Sequence, residues 1–381
     1  MSEDAFLATV RRIGEELAAP NADDVDRNAR FPREAVDALK DEQALSAYVP
    51  EKLGGAGLSF PAIAQACFEL GRYCGATAMV FAMHQIEVAT IVRHLDGADW
   101  YEDYLRRLVD EQRLVASVTS EQGTGGEMGR SVAAVETKDG TCSFEKKAPT
   151  VSYGAEADDL FTTVRRAPDA EPGDQVLVLT HKDQTTLEQT GTWDPLGMRG
   201  TCSPGYVVRA EFPAEQIHPT PFSRVMPESM VPISHILWSH LWLGIATDAF
   251  DRSRSFVRAA AKQKPGETPP QAARLSHLLT ELSLLRAEVE SALADFEAAS
   301  REQLSQLASV LRFNNLKIAA SEQAPRVCQG AMAVGGIVAF KNDTPFSVGR
   351  HLRDTMSAAL MVANERIHAT NAGLLLVAKD V

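Results

Sequence analysis

Ser117, Thr119 and Ser120 stand just ahead of Gly123, Gly125 and Gly126 in the stretch Leu114–Ser131, LVASVTSEQGTGGEMGRS. Val115, Ser117, Val118 and Thr119 suit a strand. The glycines that follow let the backbone turn tightly and approach a planar ligand, with Thr119, Ser120 and free N–H groups as hydrogen-bond partners. This is the make-up of a cofactor-contacting loop. Turn chemistry alone also describes an ordinary hairpin or loop.

Further stretches extend the pattern: Leu53-Gly-Gly-Ala-Gly-Leu-Ser59 before it, then Thr150-Val151-Ser152 with Ala157-Asp158, Leu196-Gly-Met-Arg-Gly200, and Arg350-His-Leu-Arg353-Asp354. In this order, over nearly the whole chain, they resemble the acyl-CoA dehydrogenase family. That family's strand end Thr-Glu-Pro-x-x-Gly-Ser-Asp is matched with replacements by Ser120-Glu-Gln-Gly-Thr-Gly-Gly-Glu127. Thr150–Ser152 resembles its aromatic-Ile-Thr turn without the aromatic.

The resemblance implies an FAD-dependent oxidoreductase whose flavin ring lies between a β domain and a C-terminal helical bundle. Ser117, Thr119, Ser120, Gly125 and Gly126 would line the ring, and Thr150, Val151 and Ser152 would meet its other edge. Hydroxyl and N–H donors suit that place, because reduced flavin accumulates negative charge. Lys262 and the Gly335-Gly336 turn match positions that close the adenine end for a neighbouring subunit. A homodimer or homotetramer follows. Lys262 replaces the family's arginine and lacks its bidentate fork.

One family feature is missing. α,β-Desaturation of a thioester needs a carboxylate base to remove the α-proton. One branch of the family carries it at the place of Val362, in the triplet Val362-Ala-Asn364, whose Asn364 counts with the cofactor-contacting positions; the other carries it at the place of Ser234. Three alternatives compete. Glu365, about one helical turn beyond Val362, could replace the base in a dehydrogenase acting on a thioester of CoA or an acyl carrier protein. Flavin-dependent oxygenases of the same fold dispense with the glutamate and recruit histidine, for which His84 is the candidate and His235 and His240, flanking Trp238, are secondary. A catalytically silent partner subunit is the third. The first is the leading expectation.

Stepping out to the whole chain, 381 residues with 45% apolar content allow two or three packed units. A net charge of −13 opposes nucleic acid and anionic membranes as partners. Five cysteines without a Cys-x-x-Cys pair argue against a disulfide framework or a metal site. The start Met1-Ser-Glu-Asp has neither a basic nor an apolar leader segment, so a cytoplasmic protein is expected.

The expected fold class is α+β. Residues 1–113 read as five or six helices, with Phe6, Leu7, Val10, Ile13 and Leu17 at helical spacing. Residues 114–228 change to period two and read as a barrel-like β domain, including a hairpin over Lys138-Asp-Gly140. Residues 229–381 return to helical period as a four-helix bundle, with Leu275 to Phe296 forming one apolar stripe and Met356–Leu376 supplying a fourth helix. Pro325 is expected to end or kink the third.

Overall fold

The computed structural model describes residues 1–378. Six helices come first: α1 (Glu3–Ile13), α2 (Ala19–Asn28), α3 (Arg33–Asp41), α4 (Phe60–Tyr73), α5 (Gly75–Arg93) and α6 (Asp99–Glu111). Ser59 caps α4 by accepting the Ala62 N–H, which fixes where the helix begins. α5 is buried nearly all round. It is long and apolar enough to cross a membrane, yet here it forms the core of the helical unit.

Seven strands follow: β1 (Val115–Val118), β2 (Glu136–Lys138), β3 (Thr141–Ala148), β4 (Asp159–Arg165), β5 (Gln175–His181), β6 (Thr185–Gln189) and β7 (Tyr206–Phe212). They form two sheets, ordered β1-β4-β5 and β2-β3-β7-β6, rather than a closed barrel. The β2–β3 hairpin turns through Asp139 and Gly140, both at positive φ, as a tight two-residue turn requires. β4 and β5 are buried on both faces, so they read as apolar runs rather than alternating ones. Lys146 of β3 ties the sheets together by donating to the Thr163 carbonyl of β4 at 2.6 Å.

The remaining helices are α7 (Phe222–Val225), α8 (Val231–Gln263), α9 (Ala272–Ala298), α10 (Arg301–Leu304), α11 (Leu307–Gly335), α12 (Ile337–Phe340), α13 (Gly349–Met356) and α14 (Asn364–Leu375). α8 is the axis of the molecule, packing on α4, α5, α9 and α11. Gly71 and Gly244 make the α4–α8 crossing close, since a Cβ on either would strike main-chain carbonyls of the facing helix. Burial of Leu278, Leu282, Leu285, Val289 and Phe296 holds α9 to the bundle. Each such side chain contributes roughly 1.5–3 kcal/mol before entropy is counted.

Two expectations change here. α11 continues through Pro325 to Gly335, because packing against α8 and α9 outweighs the hydrogen bond that proline cannot donate. The fourth bundle helix is broken: α13 ends at Met356, and the chain turns before α14 begins at Asn364. Val362 in that turn sits at φ 45, in the left-handed region, which a right-handed helix cannot pass through.

Candidate active site

A cavity of about 530 Å³ opens where the three regions meet. Its inner side is formed by Met79, Met83, Ile86 and Glu87 of α5 and by Met230, Ser234 and Trp238 at the start of α8. Met230 ends a widened helical turn, Met226–Met230, that leads into α8 and sets the angle of this wall. The rim carries Leu196, Leu360 and Val362, which are 59%, 78% and 40% exposed, whereas Glu87 and Met230 are 2% and 3% exposed. Seven of the ten methionines in the chain line the space, giving it polarisable and adaptable walls.

The β side supplies hydroxyls. Ser117, Thr119, Ser120, Thr150, Ser152, Thr201 and Ser203 all face the cavity. Ser120 Oγ donates to the Thr150 carbonyl at 2.7 Å, and Ser203 Oγ donates to Ser152 Oγ at 2.9 Å. These bonds fix the two edges of the wall against each other.

Glu121 organises the loop behind that wall. Its carboxylate accepts the Val132 and Ala133 N–H groups at 3.0 and 2.6 Å and the Ser131 hydroxyl at 2.6 Å. Lys146, itself buried, lies 3.4 Å away. Burial pushes the Lys146 ammonium down to about 8, an effect the Glu121 charge partly opposes. On the opposite side, Asp354 Oδ1 accepts the Met198 N–H at 2.7 Å and holds that residue at φ 52. Arg353 forks onto Asp26 of α2 and donates to the Leu196 carbonyl at 3.0 Å. Arg353 lines the cavity with its charge already matched.

The residues named from sequence separate into two sets. Ser117, Thr119, Ser120, Thr150 and Ser152 meet on one wall. Val151 lies behind it, buried, with its N–H on the Pro204 carbonyl at 3.1 Å. Gly125 and Gly126 turn at positive φ outside the cavity, and a Cβ on Gly126 would collide with the Arg366 guanidinium. Asn364 is buried beside the cavity, accepting from Lys317 Nζ at 2.7 Å. Lys262 is exposed in the last turn of α8, and Gly335 and Gly336 end α11; none of the three reaches this cavity.

The two candidate acid–base residues are elsewhere. His84 is fully buried, with Nε2 on the Leu45 carbonyl at 2.9 Å and Nδ1 accepting the Val115 N–H at 3.1 Å. Burial pushes its pKa down to about 4. Both ring nitrogens are occupied by main chain, so His84 ties α5 to β1 and does not line the cavity. Glu365 is exposed in the first turn of α14, where a carboxylate suits the helix dipole. The break before α14 turns it away from the cavity that Val362 lines. His235 and His240 are likewise buried with Nδ1 on the Phe313 and Ile236 carbonyls.

Sequence reasoning passed over Glu87. Among the described residues it is the one carboxylate lining the cavity, and it is the one charged residue between Gly75 and Val92. A lone acid in so apolar a helix was the available signal.

The cavity suits a flavin ring. Its hydroxyls and turn N–H groups can meet a polar ring edge, its Trp and Met walls can cover ring faces, and Trp238 Nε1 and Glu87 Oε2 are buried polar atoms without a partner among the described residues.

Comparison with known proteins agrees with this architecture. Residues 2–112 match the acyl-CoA dehydrogenase N-terminal domain and residues 234–369 the C-terminal domain. The chain is 25% identical over 371 residues to a probable FMNH2-dependent monooxygenase, SfnC, of Pseudomonas putida, covering 93% of this chain and 90% of that one. It is 24% identical over 364 residues to the human mitochondrial short-chain specific acyl-CoA dehydrogenase, covering 92% and 84%. Among solved structures, FMN-bound TdsC from Paenibacillus sp. A11-2 superposes with a TM-score of 0.83 at 19% identity, covering 98% and 97%.

Proposed function

The chain belongs to the acyl-CoA dehydrogenase family of flavin-dependent oxidoreductases, and from that premise we propose that it oxidises the α,β bond of an acyl thioester, of CoA or of an acyl carrier protein, held in the methionine-lined cavity. The observation that carries this is the division of one cavity into a hydroxyl wall on the β side and an apolar wall of Met79, Met83, Ile86, Met230 and Trp238. Bound flavin supplies the hydride acceptor. The hydroxyl wall orients the polar ring edge, and the apolar wall takes the acyl chain and excludes water, which strengthens every electrostatic contact inside.

FAD is the form of flavin we assign. Lys262 at the end of α8 and the Gly335-Gly336 turn at the end of α11 would close the adenine end for a neighbouring subunit in a homodimer or homotetramer. Exposure of Ile337 and Phe340 beside that turn, at 70% and 64%, supports such a contact. Five free cysteines suit the reducing cytoplasm.

A second activity, insertion of one oxygen atom from O₂ into the substrate, is favoured by a specific feature. Val362 and Ser234 line the cavity at both places where the family resemblance puts the base, and neither side chain can accept a proton at neutral pH. The similarity to the Pseudomonas monooxygenase points the same way. Product mass separates the two. Loss of two hydrogens from a thioester supports desaturation, and gain of one oxygen supports the alternative.

A further inference from the structure

Glu87 carries a buried carboxyl that the surrounding fold leaves only partly matched. Its side chain is 2% exposed, and among the described residues Oε2 has no hydrogen-bond partner and no Lys, Arg or His forms an ion pair with the carboxyl. Burying a carboxyl with one oxygen unpartnered is unfavourable, so the residue weakens the fold it sits in. Such groups are commonly held for chemistry.

Its place is specific. Met79, Met83 and Glu87 recur every fourth residue on the face of α5 that lines the cavity. With a rise of about 1.5 Å per residue, Glu87 lies roughly 12 Å beyond Met79 along the helix. There it meets Ser117 of β1, at the hydroxyl wall rather than at the rim. Two other charged or titratable groups share these surroundings. Tyr153 is electrostatically coupled to Glu87 and donates its hydroxyl to the Val115 carbonyl at 3.0 Å. Arg353 lines the same cavity, matched by Asp26.

Resting on the desaturase activity proposed above, we propose that Glu87 is the base of this site: its carboxylate takes the proton from the substrate α-carbon, and the Cα–H electron pair becomes the new Cα=Cβ bond as the β-hydrogen leaves with its pair for the flavin. The substrate thereby loses two electrons and two hydrogens, and Glu87 is left protonated. This moves the proton acceptor from the bundle, where Val362 and Ser234 cannot serve, to α5. Burial pushes the Glu87 carboxyl up to about 8, an effect the Ser117 hydroxyl partly opposes. The same burial makes its ionised form a stronger base than a solvated carboxylate.

The test uses flavin-loaded protein and an acyl-CoA analogue with sulfur in place of the β-carbon. Its α-proton is acidic but it has no β-hydride to lose, so proton removal is seen without turnover. The resulting enolate against oxidised flavin absorbs at long wavelength. The wild type should develop this band, growing as pH rises through about 8. Glu87→Gln should bind the analogue, seen as a shift of the flavin spectrum, yet lose the band at least about 100-fold, and Glu87→Asp should keep part of it with a moved midpoint. An unchanged band in Glu87→Gln overturns the role of Glu87 alone. No band in the wild type, with analogue bound, overturns thioester desaturation itself and Glu87 with it. Should Glu87→Gln fail to fold, infrared difference spectra of the wild type decide. At about pH 9, analogue binding should create a carboxylic-acid carbonyl band, and its absence contradicts proton transfer to Glu87.

Discussion

Lys317, fully buried in α11, donates its ammonium to Asn364 Oδ1 at 2.7 Å and reaches the Val362 carbonyl at 3.4 Å. One interior cation therefore pins the turn between α13 and α14 that forms part of the cavity rim. Asn364→Ala should destabilise the protein by about 2–4 kcal/mol, because it strips a buried charge of its acceptor. A lower thermal midpoint with the flavin spectrum retained is the expected result.

The same lysine makes stability depend on pH. Burial pushes its pKa down from 10.5 to about 8. Between those values the folded state binds fewer protons than the unfolded state, so stability from this group rises as pH rises through that window and is lost as pH falls through about 8. Lys317→Gln should flatten the rise seen in thermal midpoints across these pH values. A slope identical to that of the wild type would assign the effect to another group.

Val362 occupies the left-handed region at φ 45, where its branched side chain is crowded against the backbone. Val362→Gly should stabilise the turn by about 1 kcal/mol, and denaturant unfolding measures it. Loss of stability instead would mean that the side chain's contacts in the cavity wall outweigh the backbone strain.

Glu121 holds three donors of the 131–133 segment and faces buried Lys146. Removing it as Glu121→Ala leaves that lysine unmatched, at a cost of about 3–5 kcal/mol. The loop carrying Ser120 loosens with it, so flavin affinity should fall together with stability in a flavin titration. Intact affinity would show that the hydroxyl wall is held by the Ser120–Thr150 contact alone.

His84 bridges main-chain groups from two other segments and has no face on the cavity. His84→Ala should therefore cost about 2–3 kcal/mol in stability and leave turnover per bound flavin within about threefold. A hundredfold loss of turnover at unchanged stability would return the histidine to the chemistry.

These residues also show what could be read along the chain. That Ser117, Thr119 and Ser120 share one wall is legible because strand spacing and the glycines after them are local signals, and the α–β–α order follows from the change of hydrophobic period at Arg113 and again past Pro227. The main-chain contacts of His84 are not legible in the sequence because its partners, Leu45 and Val115, lie 39 and 31 residues away. Glu365 sits away from the cavity because the helix expected to carry it is broken. The helix starts at Asn364, so Asn364 faces the interior and the next residue, about 100° around, faces solvent. The place of Glu87 on the cavity is not legible in the sequence, because it depends on which face of α5 meets the cavity, and a helix apolar on every side does not reveal that.

Thioester desaturation is tested most directly by anaerobic titration of the purified, flavin-loaded protein with a panel of acyl-CoA thioesters, following visible flavin absorbance. Bleaching by at least one thioester without oxygen is the expected result, since the substrate must hand its hydride directly to the cofactor. If every thioester leaves the absorbance intact while an added reductant and O₂ together support conversion of substrate, desaturation is contradicted and the oxygen-inserting activity takes its place.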